Sequence, residues 1–317
     1  MSLDVAYSIE AQDYLDPDRA YDLYWSGVIT DKRRFLCPGS NCTAQVTCAN
    51  LDEDLQDMKV VPHFRIYGQH SKDCEISNNL PLKLQYEDGT PVKEERLSVD
   101  QSIVDIFELE RPESYYDEPR NDDSPEAARH KKPKHAKKIN GTRLRESGSI
   151  GTVYSVRSVV SRYIRYRTDG SIKFRRLNIA GMDVYYSTIF KCIWEQDLDE
   201  LPETPAIYYG WAYINRLPSN SGYQIKFKKK LKQGDHELTT TAMISDSMIE
   251  KYKIKKLMAT RLEKVHKKEK PTAFVFLYAQ PEVGTSKSGI KYANFHLKNL
   301  DMIDVNYECP LPNEYNK

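Results

Sequence analysis

Four cysteines and two histidines fall within residues 37–74 of a chain of 317 residues that has only six cysteines. Four residues separate Cys37 from Cys42, and three separate His70 from Cys74. A short loop allows both members of such a pair to point toward one ion, and two pairs complete a tetrahedral shell. The residues between the pairs are compatible with one or two strands. This spacing predicts an N-terminal module that folds around a metal ion.

The N-terminal stretch and the hydropathy of the chain favour a cytoplasmic location. The chain begins with an acidic stretch that lacks the basic-then-apolar order of a signal peptide. No run approaches the roughly 18 apolar residues that are needed to cross a bilayer, so no membrane partner is expected. Structural disulfides are disfavoured in a reducing compartment, where clustered Cys and His indicate a metal site.

Zinc is the predicted cofactor, because a mixed thiolate and imidazole ligand set suits it. Four protein ligands leave no position for water, so we expect a structural rather than a catalytic ion. Two further residues compete for a place, since Cys48 could replace Cys42 and His63 could replace His70. The preferred ligands, chosen for their paired spacing, are Cys37, Cys42, His70 and Cys74.

The segments FLCPGSNC and VVPHFRIYGQHSKDC resemble the N-terminal zinc-binding module of competence protein CoiA-like proteins. In that family a CP-x-C knuckle precedes an HF-x-H element, and the resemblance covers roughly residues 30–76. Here the first two cysteines and the two histidines are spaced more widely. The family module precedes a restriction-endonuclease-like domain, so the resemblance implies a metal-dependent nuclease as one alternative. No Asp…Glu-x-Lys run follows in this chain, and no catalytic residue is assigned.

Charge is balanced over the whole chain, with 47 basic and 46 acidic residues, but it is separated locally. Residues 108–126 carry eight acidic residues and two basic ones, and residues 129–145 carry eight Lys and Arg and no acidic residue. Blocks of this kind are usually solvated, which predicts a flexible linker. The expected organisation is a zinc-binding domain at 1–107, a charged linker at 108–147, an Arg/Tyr-rich segment at 148–204 and a β-barrel domain at 205–317.

The C-terminal third predicts an α+β domain with the element order β-β-β-α-β-β. Strands are expected at 206–217, 223–231, 236–244, 272–280 and 290–305, and an amphipathic helix that begins near Ser247 precedes Pro271. This is the order of an OB-fold, a five-stranded barrel whose helix lies between its third and fourth strands. A β-sandwich or an α+β sheet can have the same order of elements. The loop 281–289 then occupies a position that OB-folds use for ligands.

Basic and aromatic side chains on these elements are candidates for nucleic-acid binding. In YQIKFKKKL the period of two places Lys226, Lys228 and Lys230 on one face, where they could contact phosphates. Tyr208 could offer a ring to a base. The middle segment, expected to form a helix at 152–166 and a strand at 172–179, adds three arginines interleaved with tyrosines, Arg162, Arg165 and Arg167.

The sequence contains no P-loop, GxSxG, HExxH or kinase signature, so an enzyme is not favoured. We therefore expect a non-catalytic protein that binds nucleic acid, preferably single-stranded, with no small-molecule substrate. The first alternative is a protein–protein adaptor in a phage-defence or phage-encoded assembly, which the near-neutral net charge favours. The second alternative is the metal-dependent nuclease.

Overall fold

The computed structural model describes the chain over residues 2–3, 5–39, 42–54, 57–58, 60–74, 76–77, 104–116, 152–168, 170–201, 203–218 and 221–311. The fold is α+β and consists mostly of strands. It divides into two compact units, unit 1 (Met1–Ile103 and Pro112–Gly151) and unit 2 (Val104–Arg111 and Thr152–Lys317). None of the described helices is long and apolar enough to span a bilayer.

Unit 1 is built on one antiparallel sheet of short strands. The strands are β1 (Ser2–Leu3), β2 (Ala6–Ser8), β3 (Asp13–Leu15), β4 (Phe35–Leu36), β5 (Gln45–Ala49) and β6 (His63–Ile66), in the order β1-β6-β5-β4-β2-β3. Helix α1 (Pro17–Ser26) begins at Asp16, whose carboxylate accepts a hydrogen bond from the Arg19 N–H at 2.7 Å. A 3₁₀ turn covers Glu113–Tyr116. Fully buried Phe35 and Phe64 pack together across the sheet at 5.3 Å.

The described residues of unit 2 form a four-stranded sheet, a larger sheet and four helices. The first strands are β7 (Val104–Phe107), β8 (Thr152–Val153), β9 (Arg176–Ile179), β10 (Met182–Tyr185) and β11 (Phe190–Cys192). The remaining strands are β12 (Ala206–Arg216), β13 (Gly222–Phe227), β14 (Leu231–Gln233), β15 (His236–Ser245), β16 (Thr272–Ala279), β17 (Pro281–Thr285), β18 (Lys291–Phe295) and β19 (Ile303–Asn306). The helices are α2 (Val156–Thr168), α3 (Tyr186–Ile189), α4 (Asp246–Lys251) and α5 (Lys255–His266), with 3₁₀ turns at Ile193–Glu195, Leu198–Glu200 and Leu300–Met302.

The larger sheet of unit 2 is curled. Its strands follow the order β17-β18-β15-β13-β12-β16-β19, and the β15–β18 pair is parallel. Strands β16 and β17 lie near opposite ends of this ladder, yet only Gln280 separates them in the chain. The sheet therefore bends back toward its own beginning. Its inward side chains, such as Ile225 and Phe295, are almost completely buried.

The middle segment belongs to the same compact unit as the C-terminal third, so the expected boundary between 204 and 205 does not separate two units. Strand β11 pairs in parallel with β12, and Val156, Val160 and Tyr163 of α2 join one core with the larger sheet. Local sequence patterns do not indicate this association, because the middle segment packs with parts of the larger sheet that are distant from it in the chain. The expected linker, 108–147, lies outside the described residues from 117 onward.

Element boundaries in the C-terminal third differ from the expected ones at three places. The strand expected at 223–231 ends at Phe227, and a separate strand, β14, begins at Leu231. The single predicted helix is two helices, and the Ser245 hydroxyl, rather than Ser247, caps the first by accepting from the Met248 N–H at 3.2 Å. The predicted loop at 281–289 begins with strand β17, which pairs with β18. Strand β17 was not predicted because it has no long apolar run, and its residues are exposed or half-buried in the structure.

Candidate metal centre and nucleic-acid interface

The four preferred metal ligands come together in unit 1. Cys37 follows β4 directly, and Cys42 lies on the turn between β4 and β5. That turn is closed by hydrogen bonds from the Cys37 N–H to the Ala44 carbonyl (2.8 Å) and from the Cys42 N–H to the Gly39 carbonyl (3.1 Å). His70 and Cys74 lie on the segment that follows β6. The two chain segments meet because β4, β5 and β6 are neighbours in the sheet.

The distances between the ligand atoms fit a four-coordinate ion. The Sγ atoms of Cys37 and Cys74 are 3.7 Å apart, and His70 Nδ1 lies 3.3 Å from Cys42 Sγ and 3.2 Å from Cys74 Sγ. All four ligand atoms lie within 4.8 Å of one another. Tetrahedral zinc with Zn–S bonds of about 2.3 Å places two sulfurs about 3.8 Å apart. The cluster can therefore hold a metal ion through three sulfurs and one imidazole nitrogen.

Backbone N–H groups prepare this site for thiolates. Burial raises the pKa of Cys37 to about 12, although the Gly39 N–H that hydrogen-bonds to it opposes this rise. Burial also acts to raise the pKa of Cys42, but hydrogen bonds from the N–H groups of Ala44 and Ser71, together with the His70 ring, lower it to about 6. A thiolate is thus favoured at Cys42 before any ion binds, and a cation would remove the penalty on the Cys37 thiolate.

Gly68 allows the ligand segment after β6 to approach the turn before β5. A Cβ at this position would lie 2.5 Å from the Gln45 nitrogen and 3.1 Å from the Ala44 Cα, both of which are backbone atoms. The Gly68 N–H also donates to the Gln45 carbonyl at 3.2 Å. The absence of a side chain therefore keeps the two ligand-bearing segments in contact.

The two competing residues lie outside the cluster. Cys48 is fully buried in β5, and burial, with the nearby charges of Asp16 and Asp18, holds its pKa well above the ordinary value. Both ring nitrogens of His63 are engaged elsewhere, with the Val61 carbonyl and with Arg65 Nε, each at 2.8 Å.

A second candidate site is the outward face of the larger sheet in unit 2. We call it the outer sheet face and define it by Trp211, Tyr213, Lys226, Lys228, Thr241, Tyr292 and Asn294. Three register pairs align part of it in one row across four strands, Tyr213 with Lys226, Lys226 with Thr241 and Thr241 with Asn294. The alternation expected for β13 is present, because Ile225 and Phe227 are buried while Lys226 is exposed.

Aromatic rings and ammonium groups are interleaved on the outer sheet face. Lys228 Nζ lies 5.4 Å from the ring centroid of Trp211 and 5.3 Å from that of Tyr213, which is 41% exposed. Tyr292 lies on β18, two strands away from Lys226 on β13. Its ring packs against the backbone of Gly284, so closely that a Cβ added at this glycine would be 2.6 Å from the ring. The ion pairs recorded among the described residues include neither Lys226 nor Lys228.

Comparison with known protein families, curated proteins and solved structures finds no match for this chain.

Tyr208 is not at the surface, which corrects the expectation that its ring is available to a base. Its side chain is only 1% exposed and contacts Phe295 at a ring distance of 4.9 Å. Burial raises its pKa to about 12. The neighbouring Tyr209, on the opposite side of the strand, is also buried, because this half of β12 is covered on both faces.

Two of the three arginines expected to extend the path, Arg162 and Arg167, contact groups within the fold. Arg162 pairs with buried Asp105, which also accepts hydrogen bonds from the hydroxyls of Tyr166 (2.9 Å) and Tyr186 (2.8 Å). Its charge is therefore used inside the fold. Arg167 lies over the Tyr163 ring and donates to the Tyr163 hydroxyl at 3.0 Å, and the Arg165 side chain lies outside the described residues.

Lys230 does not extend the row that Lys226 and Lys228 begin. Strand β13 ends at Phe227, and the ammonium of Lys230 pairs with Glu237 at 3.0 Å. The sequence reasoning did not assign five members of the outer sheet face, namely Trp211 and Tyr213 on β12, Thr241 on β15, and Tyr292 and Asn294 on β18. The alternation of buried Ala293 and Phe295 with these outward residues is the signal that could have identified the last two.

Proposed function

We propose that this protein binds single-stranded nucleic acid on the outer sheet face of unit 2. The observation that carries the proposal is the position of Lys228 between two rings, with Lys226 next to Tyr213 in the cross-strand row. Ammonium groups contact phosphates, and accessible aromatic rings stack on unpaired bases. Thr241 and Asn294, joined by a hydrogen bond of 3.0 Å, add polar groups that can meet base edges.

Single strands suit this face better than a duplex. Stacking requires a base whose flat side is accessible, and duplex bases are stacked on one another. The outer sheet face also lacks a helix or ribbon that could enter a major groove, as far as the described residues extend. The rings of Trp211, Tyr213 and Tyr292 instead lie along an open sheet surface.

We further propose that the curled sheet is an OB-type barrel. Strands β12, β13, β15 and β18 would be its first, second, third and fifth strands, and β16 with β17 would form the fourth, bent at Gln280. The parallel β15–β18 pair, the β12–β16 pair and the helices between β15 and β16 support this reading. The outer sheet face then covers the second and third strands, on which OB-folds bind oligonucleotides.

Zinc is the proposed ion at the cluster in unit 1, where it would have a structural role. Three thiolates and one imidazole suit zinc, and four protein ligands leave no place for a reacting water. We also propose that unit 1 is related to the zinc-binding module of CoiA-like proteins. The arrangement of the cluster supports this proposal, because its ligands lie on a turn and on the segment that follows an HF element. The ion would hold together a unit whose strands are only two to five residues long.

A protein partner is the second candidate, and exposed apolar side chains on the larger sheet and beside it favour it. Met243 and Val283 are 50% and 42% exposed, and Ile290 is 64% exposed. Exposed apolar groups next to charges are common at protein interfaces. This is the adaptor alternative, and it predicts that removing the lysines changes no nucleic-acid affinity.

Fluorescence anisotropy with labelled oligothymidylate and with a duplex of equal length, at two salt concentrations, tests the proposal. We expect the single strand to bind more tightly than the duplex. The Lys226→Ala/Lys228→Ala variant should reduce the salt slope, which is the slope of log K against log salt concentration, by about 1.4, or about 0.7 for each phosphate contact that is lost. Replacing Tyr213 by alanine should weaken binding by about five-fold or more.

The matched control is Lys251→Ala/Lys256→Ala, which removes two exposed lysines from α4 and α5 and should leave the salt slope unchanged. Equal effects of the two lysine pairs, or no binding at low salt, would refute the assignment of this face. Thermal unfolding of every variant shows whether the fold is intact.

A further inference from the structure

Strand β6 of unit 1 presents three functional side chains on the outward face of its sheet. In the segment HFRIY, Phe64 is fully buried, whereas Arg65 is exposed and His63 is half-buried. The Tyr67 N–H donates to the Gln45 carbonyl at 2.9 Å, so the ladder with β5 continues to Tyr67, which is 68% exposed. His63, Arg65 and Tyr67 therefore occupy alternate positions, about 7 Å apart from one to the next.

His63 holds the Arg65 side chain in one orientation. His63 Nδ1 lies 2.8 Å from the Val61 carbonyl, which can only accept, so Nδ1 carries the proton and donates. Nε2 is then the acceptor for Arg65 Nε at 2.8 Å. This bond uses the Nε–H of the guanidinium and leaves its two terminal amino groups for another ligand. Two parallel N–H donors of this kind match two oxygens of a phosphate.

The surroundings of Arg65 favour an anion. Thr47 lies directly opposite Arg65 in the register of β5 and β6 and supplies a neighbouring hydroxyl. Among the described residues of unit 1, the recorded ion pairs join Arg19 with Asp13, Lys32 with Asp52 and Arg34 with Glu10. None of these pairs takes up the guanidinium of Arg65. An exposed ring and an oriented guanidinium thus lie side by side on β6, which pairs with β1 and β5 on either side.

We infer that His63, Arg65 and Tyr67 form a second binding site, for a phosphodiester that carries an unpaired base. Arg65 binds the phosphate through its terminal amino groups, and Tyr67 stacks on the base of the same nucleotide unit. His63 is a positioning residue that acts only through Arg65. The site belongs to unit 1 alone and does not require the outer sheet face of unit 2.

The experiment uses the full metal-loaded chain and two labelled probes of equal length, oligothymidylate and an abasic oligonucleotide. Binding is measured in the natural sequence and in a Tyr213→Ala/Lys226→Ala/Lys228→Ala background, which removes the other proposed site. Arg65→Ala should weaken binding of both probes by about tenfold in the background that lacks the other site, because it removes charged hydrogen bonds, and should reduce the number of binding sites in the natural sequence. Tyr67→Ala should weaken binding of oligothymidylate only.

Two variants of His63 separate positioning from folding. His63→Gln keeps an acceptor for Arg65 Nε and should bind within about twofold of the natural chain, whereas His63→Phe should lose about as much affinity as Arg65→Ala. Metal content and thermal unfolding should be the same in all of these variants.

Unchanged binding by Arg65→Ala and Tyr67→Ala in both backgrounds would overturn this site, even if the outer sheet face binds as proposed. Complete loss of binding through the unit 2 substitutions alone would overturn it as well. If no oligonucleotide binds but an acidic peptide does so through Arg65, the site belongs to a protein partner and the inference fails.

Discussion

Replacing Cys74 by serine is the most direct perturbation of the metal centre. Its sulfur contacts two of the other ligands, at 3.7 Å from Cys37 Sγ and 3.2 Å from His70 Nδ1. A serine hydroxyl is a poor ligand for a soft, thiolate-preferring ion. The matched control is Cys48→Ser, which makes the same chemical change at a fully buried cysteine outside the cluster.

The expected magnitude follows from comparing two free energies. Structural zinc contributes about 10–16 kcal/mol of apparent binding energy at neutral pH, whereas a whole domain is stable by only about 5–15 kcal/mol. Loss of the ion should therefore unfold unit 1, whose strands contain two to five residues each. Cys48→Ser should cost about 1–3 kcal/mol for burying a hydroxyl and should keep the metal.

Elemental analysis and tryptophan emission provide the assay. Of the three tryptophans, Trp25 lies in unit 1, where it packs against Tyr21 at 5.9 Å. We expect one zinc for each natural or Cys48→Ser chain and none for Cys74→Ser. A chelator should shift the emission of the natural chain to longer wavelength, and Trp25→Phe should abolish this shift. A Cys74→Ser protein with one zinc and an unchanged unfolding curve would refute the ligand assignment.

Three further predictions concern the two units. Gly68→Ala should lower metal affinity and destabilise unit 1 by about 1–3 kcal/mol, because its Cβ would meet backbone atoms at 2.5 and 3.1 Å. The control, Gly210→Ala, would have only a 3.7 Å contact and should retain full metal affinity when both variants compete with a chelator for the metal. Since the pKa of Cys37 is raised to about 12, its proton must leave when metal binds, so chelator competition between pH 6 and 8 should show affinity that rises with pH by about tenfold per unit or more. Arg261→Met should destabilise unit 2 by about 3–5 kcal/mol in urea unfolding, because it leaves Asp304, only 5% exposed, without its charged partner, and adding Asp304→Leu should restore most of that loss.

The metal cluster was the part of the site that local sequence could predict. Ligands within a pair are close in the chain, so their spacing restricts how they can converge, and the preferred set is the one that meets in the structure. His63 lies outside this cluster for a structural reason, because its nitrogens bond to Val61 and Arg65. The alternation of Lys226 with buried Ile225 and Phe227 was likewise predictable, because the period of a strand depends only on backbone geometry.

Long-range pairing decided the features that the sequence reasoning placed wrongly. Tyr208 and Tyr213 lie on one strand with similar neighbours, but one half of β12 is covered on both faces while the other half has an open face. Arg162 is neutralised by Asp105, which lies 57 positions away in the chain. Neither burial nor this pairing has a local signature in the sequence.

The amino-acid sequence by itself determined which Cys and His residues can form a metal-binding cluster, the principal strands of the C-terminal third and the outward direction of Lys226 and Lys228. Each of these depends on interactions within a few residues along the chain or on the fixed geometry of one strand. Only the tertiary structure decided which rings remain accessible, which arginines retain a usable charge and that the middle segment joins the curled sheet. Those outcomes depend on which distant strand or helix covers a surface, and the free energy that selects it arises from contacts across the whole fold.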